Sequence, residues 1–186
     1  MREITGDLSF ARSASYAIVC ARFNAPITER LLEGCLAQFR KAGVATKHLT
    51  LVRVPGAFEI PTTAAALLHH NHYAAIVCLG AVVRGVTPHF DFVAGECARG
   101  IATLSRESIV PVIFGVITTD TWAQAEERAQ PGLQNNKGAD AAAAALEMVG
   151  LMSAIPPEDH ADFEKRFKRA VRTGIPRKIR SAPRKK

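Results

Sequence analysis

The residues Ala74-Ala75-Ile76-Val77-Cys78-Leu79 form a continuously apolar, β-rich run with no polar alternation. Such a run fits a strand covered on both faces of a parallel sheet. Gly80 and Gly85 then bracket a turn, and Pro88 stands where its fixed φ suits the first turn of a helix. From there His89, Phe92, Val93, Cys97, Ile101 and Leu104 recur at helical spacing. Strand, glycine-bearing loop and helix in that order can hold an anion on backbone N–H groups and a helix N-terminus. Arg84 and His89 flank the loop, which adds a fixed positive charge and a proton carrier. A tight βα turn with a solvated histidine is the plain alternative.

The same grammar repeats along the chain. Strands are predicted over 16–20, 49–54 and 109–117, with Pro111 near the start of the last one, where a missing N–H is tolerated. Helical spacing of Leu31, Leu32, Cys35, Leu36 and Phe39 ends at Gly43, and a second helix runs over 60–68. Thr121 and Gln124 have the form of a capping box for a helix ending near Ala129, and an alanine-rich helix spans 138–151. Alternating strands and helices with short loops predict a three-layer αβα fold around a four-stranded parallel sheet. Residues 1–14 carry little pattern and read as an arm in which Ile4 and residues 8–10 could pair as a strand with a neighbour.

A net charge of +7 looks like a nucleic-acid signal until it is located. Residues 158–186 hold 11 Lys and Arg against 4 Asp and Glu, while residues 1–157 balance at 13 of each. The predicted division is therefore a domain over 1–157 and a basic, partly helical or disordered tail over 158–186. The tail reads as a solvated appendage, or else as an electrostatic tether to RNA, anionic lipid or an acidic partner. The neutral body and an aromatic content of 6% give no platform for stacked bases. Cys20, Cys35, Cys78 and Cys97 show no metal spacing and read as small buried hydrophobes. His69, His70 and His72 read as solvated residues at a helix end rather than as metal ligands. No signal-peptide pattern and no apolar run of about 20 residues is present, which predicts a cytoplasmic protein without a membrane span.

Ligands of open parallel sheets bind outside the carboxyl ends of the strands. The loops falling there, 22–26, 55–59, 80–89 and 118–121, offer Phe23, Asn24, Phe58, Glu59, Arg84, Thr87 and His89. There is no GxGxxG, Walker A loop or GxSxG elbow, and no convergent carboxylate pair. What remains is an aromatic ring to stack on a flat ligand, a carboxylate for hydroxyl or N–H groups, an anion nest and one histidine. That set suits a planar heterocycle with a polar side chain plus a phosphorylated partner, with protons moved by His89.

Arg22-Phe23-Asn24, the run from Val54 through Pro55-Gly56-Ala57-Phe58-Glu59 to Pro61, the run from Leu79 to Asp91, Phe114-Gly115-Val116-Ile117-Thr118 and Asn136-Lys137-Gly138 together resemble the 6,7-dimethyl-8-ribityllumazine synthase family. The resemblance spans about residues 16–151, with five motifs in the family's order. It implies a flavodoxin-like fold and the condensation of 5-amino-6-(D-ribitylamino)uracil with 3,4-dihydroxy-2-butanone 4-phosphate, the penultimate step of riboflavin synthesis, with neither metal nor organic cofactor. Carried over by position, it implies that Phe23 stacks on the pyrimidine and that Asn24 is a substrate-binding residue. Ala57, Phe58 and Glu59 hold the ribityl chain, and Ala81, Val82 and Val83 line the ring. Gly85, Val86 and Thr87 bind phosphate and His89 transfers protons. Phe114, Arg128 and Lys137 come from a neighbouring subunit of a homopentamer, with Arg128 gripping the phosphate.

The residues give their own reason for a neighbour. Arg128 lies at least two helical turns past the loop after strand four, and at ~1.5 Å per residue that carries it roughly 10 Å from its own carboxyl edge. Val86 departs from the family, where Ala, Ser or Asp is more usual. The connection 130–135 contains Pro131 and is about one residue longer than in shell-forming relatives, which leans toward a free pentamer. The rival readings are a non-catalytic flavin or lumazine binder on the same scaffold and a nucleic-acid-associated protein assembled by its domain.

Overall fold

The fold comes from a computed structural model, which describes residues 1, 3–70 and 72–155. The basic tail, 158–186, and its expected helix lie outside the described residues. Four strands, β1 (Tyr16–Ala21), β2 (Leu49–Val54), β3 (Ala75–Val83) and β4 (Val112–Thr119), form one sheet in the order β2-β1-β3-β4. Every pairing is parallel. The helices are α1 (Leu8–Ser13), α2 (Ala25–Lys41), α3 (Ile60–His69), α4 (His89–Glu107), α5 (Trp122–Arg128) and α6 (Lys137–Ala154).

Side-chain alternation divides the sheet between two cores. Tyr16, Ile18 and Cys20 of β1 and Ala75, Val77 and Leu79 of β3 face Leu32, Cys35 and Phe39 of α2 and the alanines and Val149 of α6. Ala17, Val19, Ile76 and Cys78 face Ile60 and Ala64 of α3 and Cys97 and Ile101 of α4. Both faces being covered explains why β1 and β3 read as unbroken apolar runs. All four cysteines are buried and free, and burial pushes the Cys20 and Cys97 thiols up to about 11.

Three boundaries differ from the sequence reading. β3 runs on through Gly80 to Val83 instead of turning at the glycine. β4 begins at Val112 because Pro111 has no N–H to give; its carbonyl instead accepts from Ile76 N–H. Residues 8–10 of the arm are helical, as the start of α1, and pair with no strand among the described residues. Asp7 caps α1 by accepting from Ser9 N–H, and the arm crosses α6 where Gly6 and Gly150 leave room for backbone contact.

The α2–α6 contact is closer still. A Cβ on Gly138 would lie 1.8 Å from Leu31 O, and one on Gly34 would lie 2.3 Å from Asn136 Oδ1. Asn136 is fully buried at this crossing. Its Oδ1 accepts from Gly138 N–H and Ala139 N–H, capping α6, while its Nδ2 donates to Arg30 O at 3.0 Å and Gln130 O at 2.8 Å. The Asn-Lys-Gly motif therefore has a structural use: one amide satisfies four backbone groups where two helices touch.

Candidate active site

The strand order reverses between β1 and β3, the switch point at which such sheets open a crevice. The β1–β3 ladder ends at the Cys20–Leu79 pair, whereas β3 and β4 stay paired out to Val83 and Thr119. The end of β3 thus runs on past β1 with an unpaired edge, which can offer backbone polar groups to a flat ligand. Asn24, at φ 59°, turns the chain from β1 into α2 and donates from Nδ2 to Ala81 O at 2.9 Å. An asparagine tolerates this left-handed conformation better than most residues. The same loop is tied to the exit of β2 by Phe23 N–H donating to Pro55 O at 3.0 Å.

These anchors shape a cleft of about 680 Å³, a size typical of small-molecule sites. It brings together Phe23, Asn24, Ala57, Phe58, Glu59, Ala81, Val82, Val83, Gly85, Thr87 and His89. Phe23 and Phe58 are 70% and 55% exposed, so two ring faces stand open at the cleft for a planar ligand. Glu59 ends a 3₁₀ turn over Ala57–Glu59, and its Oε2 accepts from Gly56 N–H at 2.9 Å. That bond aligns the carboxylate while leaving Oε1 without a hydrogen bond among the described residues. His89 opens α4 directly after Pro88, so the partial positive charge of a 19-residue helix points at loop 85–88.

Four of the expected site residues do not line the cleft of their own chain. The side chain of Val86 stands wholly in solvent between Gly85 and Thr87. Phe114 is half exposed on β4, the sheet's edge strand. Arg128 is the last residue of α5 and donates from Nη1 to Gln124 O at 3.1 Å. Lys137 pairs with Asp140 one turn along α6, at 2.8 Å.

Arg84 needs correcting as the fixed positive charge beside the anion loop. Its guanidinium is engaged by Asp120 at 2.8 Å and Asp91 at 3.1 Å, and it lies 4.0 Å from the centre of the Phe90 ring. Sequence reasoning also missed Phe90, Phe92 and Val93, which line the cleft from the first turn of α4. The signal was available, since Phe92 and Val93 stand three and four residues beyond His89 on the same helical face.

An αβα sheet with an aromatic-walled crevice at its switch point and a helix N-terminus aimed at a bare loop defines a flavodoxin-like domain. The sequence model of the 6,7-dimethyl-8-ribityllumazine synthase family matches residues 13–153. Over 151 residues the chain is 49% identical to the 6,7-dimethyl-8-ribityllumazine synthase of Synechocystis sp., covering 79% of this chain and 91% of that one. Over 160 residues it is 51% identical to the protein of the same name from Thermosynechococcus vestitus, covering 84% and 89% respectively. The chain belongs to the 6,7-dimethyl-8-ribityllumazine synthase family.

Proposed function

We propose that this chain condenses 5-amino-6-(D-ribitylamino)uracil with 3,4-dihydroxy-2-butanone 4-phosphate to 6,7-dimethyl-8-ribityllumazine, releasing phosphate and water. The amine attacks the ketone and water leaves to give an imine. Phosphate is then eliminated, and the ribityl-bearing nitrogen closes the ring with loss of a second water. Phe23 stacks on the pyrimidine, and the edge of β3 at Ala81, Val82 and Val83 lies along it. Ala57, Phe58 and Glu59 hold the ribityl hydroxyls. Backbone groups of Gly85 and Val86 and the hydroxyl of Thr87 take the phosphate beside the α4 N-terminus. His89 moves protons for imine formation and elimination.

Phe114, Arg128 and Lys137 complete the site from an adjoining subunit of a pentamer, with Arg128 supplying the cation the phosphate needs. What carries this reading is a partition of residues. Those assigned to one subunit, Val86 apart, line a single cleft, while Phe114, Arg128 and Lys137 lie outside it in the same chain. Arg84 is already matched by two carboxylates, so loop 85–88 needs a cation from elsewhere. The domain over 1–157 performs the reaction without the basic tail, and the enzyme works in the cytoplasm. No helix among the described residues is long and apolar enough to cross a membrane. The direct test follows lumazine absorbance with both substrates against the uncatalysed background. Acceleration supports the proposal; binding of the lumazine without acceleration replaces it with the non-catalytic binder.

Gly85 gives a separable prediction. A Cβ there would meet nothing within 4 Å, and its φ is not in the left-handed region, so neither backbone nor packing requires glycine. Gly85→Ala should therefore fold with stability within about 1 kcal/mol of the parent. Its methyl would stand where the phosphate approaches the backbone. The KM for the butanone phosphate should rise on the order of tenfold, with the KM for the pyrimidine unchanged. Steady-state kinetics with each substrate varied in turn check this.

A further inference from the structure

Arg84 leaves β3 at the mouth of the cleft, yet its charge is spent sideways. Nε donates to Asp120 Oδ1 at 2.8 Å, Nη1 donates to Asp91 Oδ1 at 3.1 Å, and the guanidinium covers the ring of Phe90. Its own N–H donates to Thr119 O at 2.8 Å. Asp120 N–H in turn donates to Gln124 Oε1 at 3.0 Å, and Gln124 O accepts from Arg128 at 3.1 Å. One side chain thus ties together the exit of β3, the first turn of α4 and the junction of β4 with α5. The chain of hydrogen bonds ends on the residue assigned to the neighbouring site.

Two features say that this arginine holds the loop rather than the ligand. Paired with two carboxylates, the cluster carries a net negative charge, and a phosphate brought to it would meet repulsion. Residues 85–88 make no side-chain hydrogen bond among the described residues, so Arg84 supplies the polar anchor on their β3 side. Each exposed ion pair alone contributes little. Here a single planar fork serves two acceptors and a ring, so its rotamer freedom is lost once for three contacts.

We propose that Arg84 is a positioning residue for the phosphate-bearing substrate. It fixes residues 85–88 and, through Asp120 and Gln124, the α5 helix that presents Arg128, without touching the substrate. This rests on the reading of the cleft given under Proposed function.

The test compares full-length Arg84→Met, Arg84→Lys, Asp120→Asn and the Arg84→Met/Asp120→Asn double variant. Arg84→Met and Asp120→Asn should each raise the KM for the butanone phosphate about fivefold, leaving Tm and the KM for the pyrimidine unaltered. The double variant should be no worse than Arg84→Met, because the two residues act through one contact. Arg84→Lys, which keeps a charge but one fewer directed bond, should fall between Arg84→Met and the parent. A phosphate KM unchanged or lowered in Asp120→Asn, with a large rise in Arg84→Met, would make Arg84 a direct ligand and overturn the proposal. So would a fall in Tm with both KM values rising together. Hydrogen exchange in peptides covering 84–91 and 120–128 separates this from the functional reading. Faster exchange there in both single variants supports the tie even if the parent forms no lumazine; unchanged exchange overturns it.

Discussion

Asn136→Ala is expected to destabilise the fold by about 2–4 kcal/mol, since it removes a helix cap and two further hydrogen bonds made by one fully buried amide. The Asn136 amide is fully enclosed where α2 meets α6. Without it, the buried N–H groups of Gly138 and Ala139 lose their acceptor, and the Nδ2 donations that tie Arg30 O and Gln130 O to the start of α6 are lost. The neighbourhood cannot close over the loss, because Gly138 already lies against the Leu31 backbone and Gly34, which faces the Asn136 amide, has no side chain to fill the space. Asn136→Ser keeps a capping oxygen but not the two donations, and should fall in between. For a domain of this size the alanine variant should melt about 10 °C lower, measured at fixed protein concentration because assembly contributes to apparent stability. A shift of only a degree or two would mean that α6 is held by its alanine face alone.

His89→Ala is expected to lower kcat on the order of a hundredfold, the usual scale of a positioned proton carrier. Turnover should nonetheless stay above the uncatalysed reaction. In the proposed complex two reactants lie side by side, one stacked between Phe23 and the edge of β3 and the other gripped by its phosphate, and that proximity should survive loss of the imidazole. Single-turnover kinetics with both substrates saturating check this, because they report chemistry apart from binding. An unchanged rate would remove His89 from proton transfer. A rate at background, with both ligands still bound, would contradict the weight placed on positioning.

The central strands β1 and β3 were legible because both of their faces are buried. β2 appears at 49–54 and α4 at 89–107, as their periodicity predicts, and the capping box at Thr121 forms as written. The end of β3 was not legible, since Gly80 looks like a turn in one dimension. In the sheet its missing side chain simply makes room for Ile60 and Val116. The helix over the arm escaped notice because its six residues carry one cap and no full hydrophobic period. On the site, local motifs placed Phe23, Glu59, Thr87 and His89 correctly in one cleft. Arg84 was misjudged because its main partner, Asp120, is 36 residues away, and a nearby charge in sequence says nothing about what neutralises it. Phe114, Arg128 and Lys137 mark the remaining limit, since the use proposed for them depends on a second copy of the chain.

That dependence is the central claim, and mixed oligomers test it most directly. His89→Ala and Arg128→Ala chains, carrying different affinity tags, would be co-expressed and the mixed assemblies purified through both tags. Activity would be read at a butanone phosphate concentration where each variant alone is nearly inactive. If the cleft of one subunit is completed by Arg128 of the partner subunit, random mixing restores about one interface in four to the parental set of residues. The mixed assemblies should then show roughly a quarter of the parental activity, far above either variant alone. Mixed assemblies no more active than the mean of the two variants would place the whole site within a single chain and contradict the account.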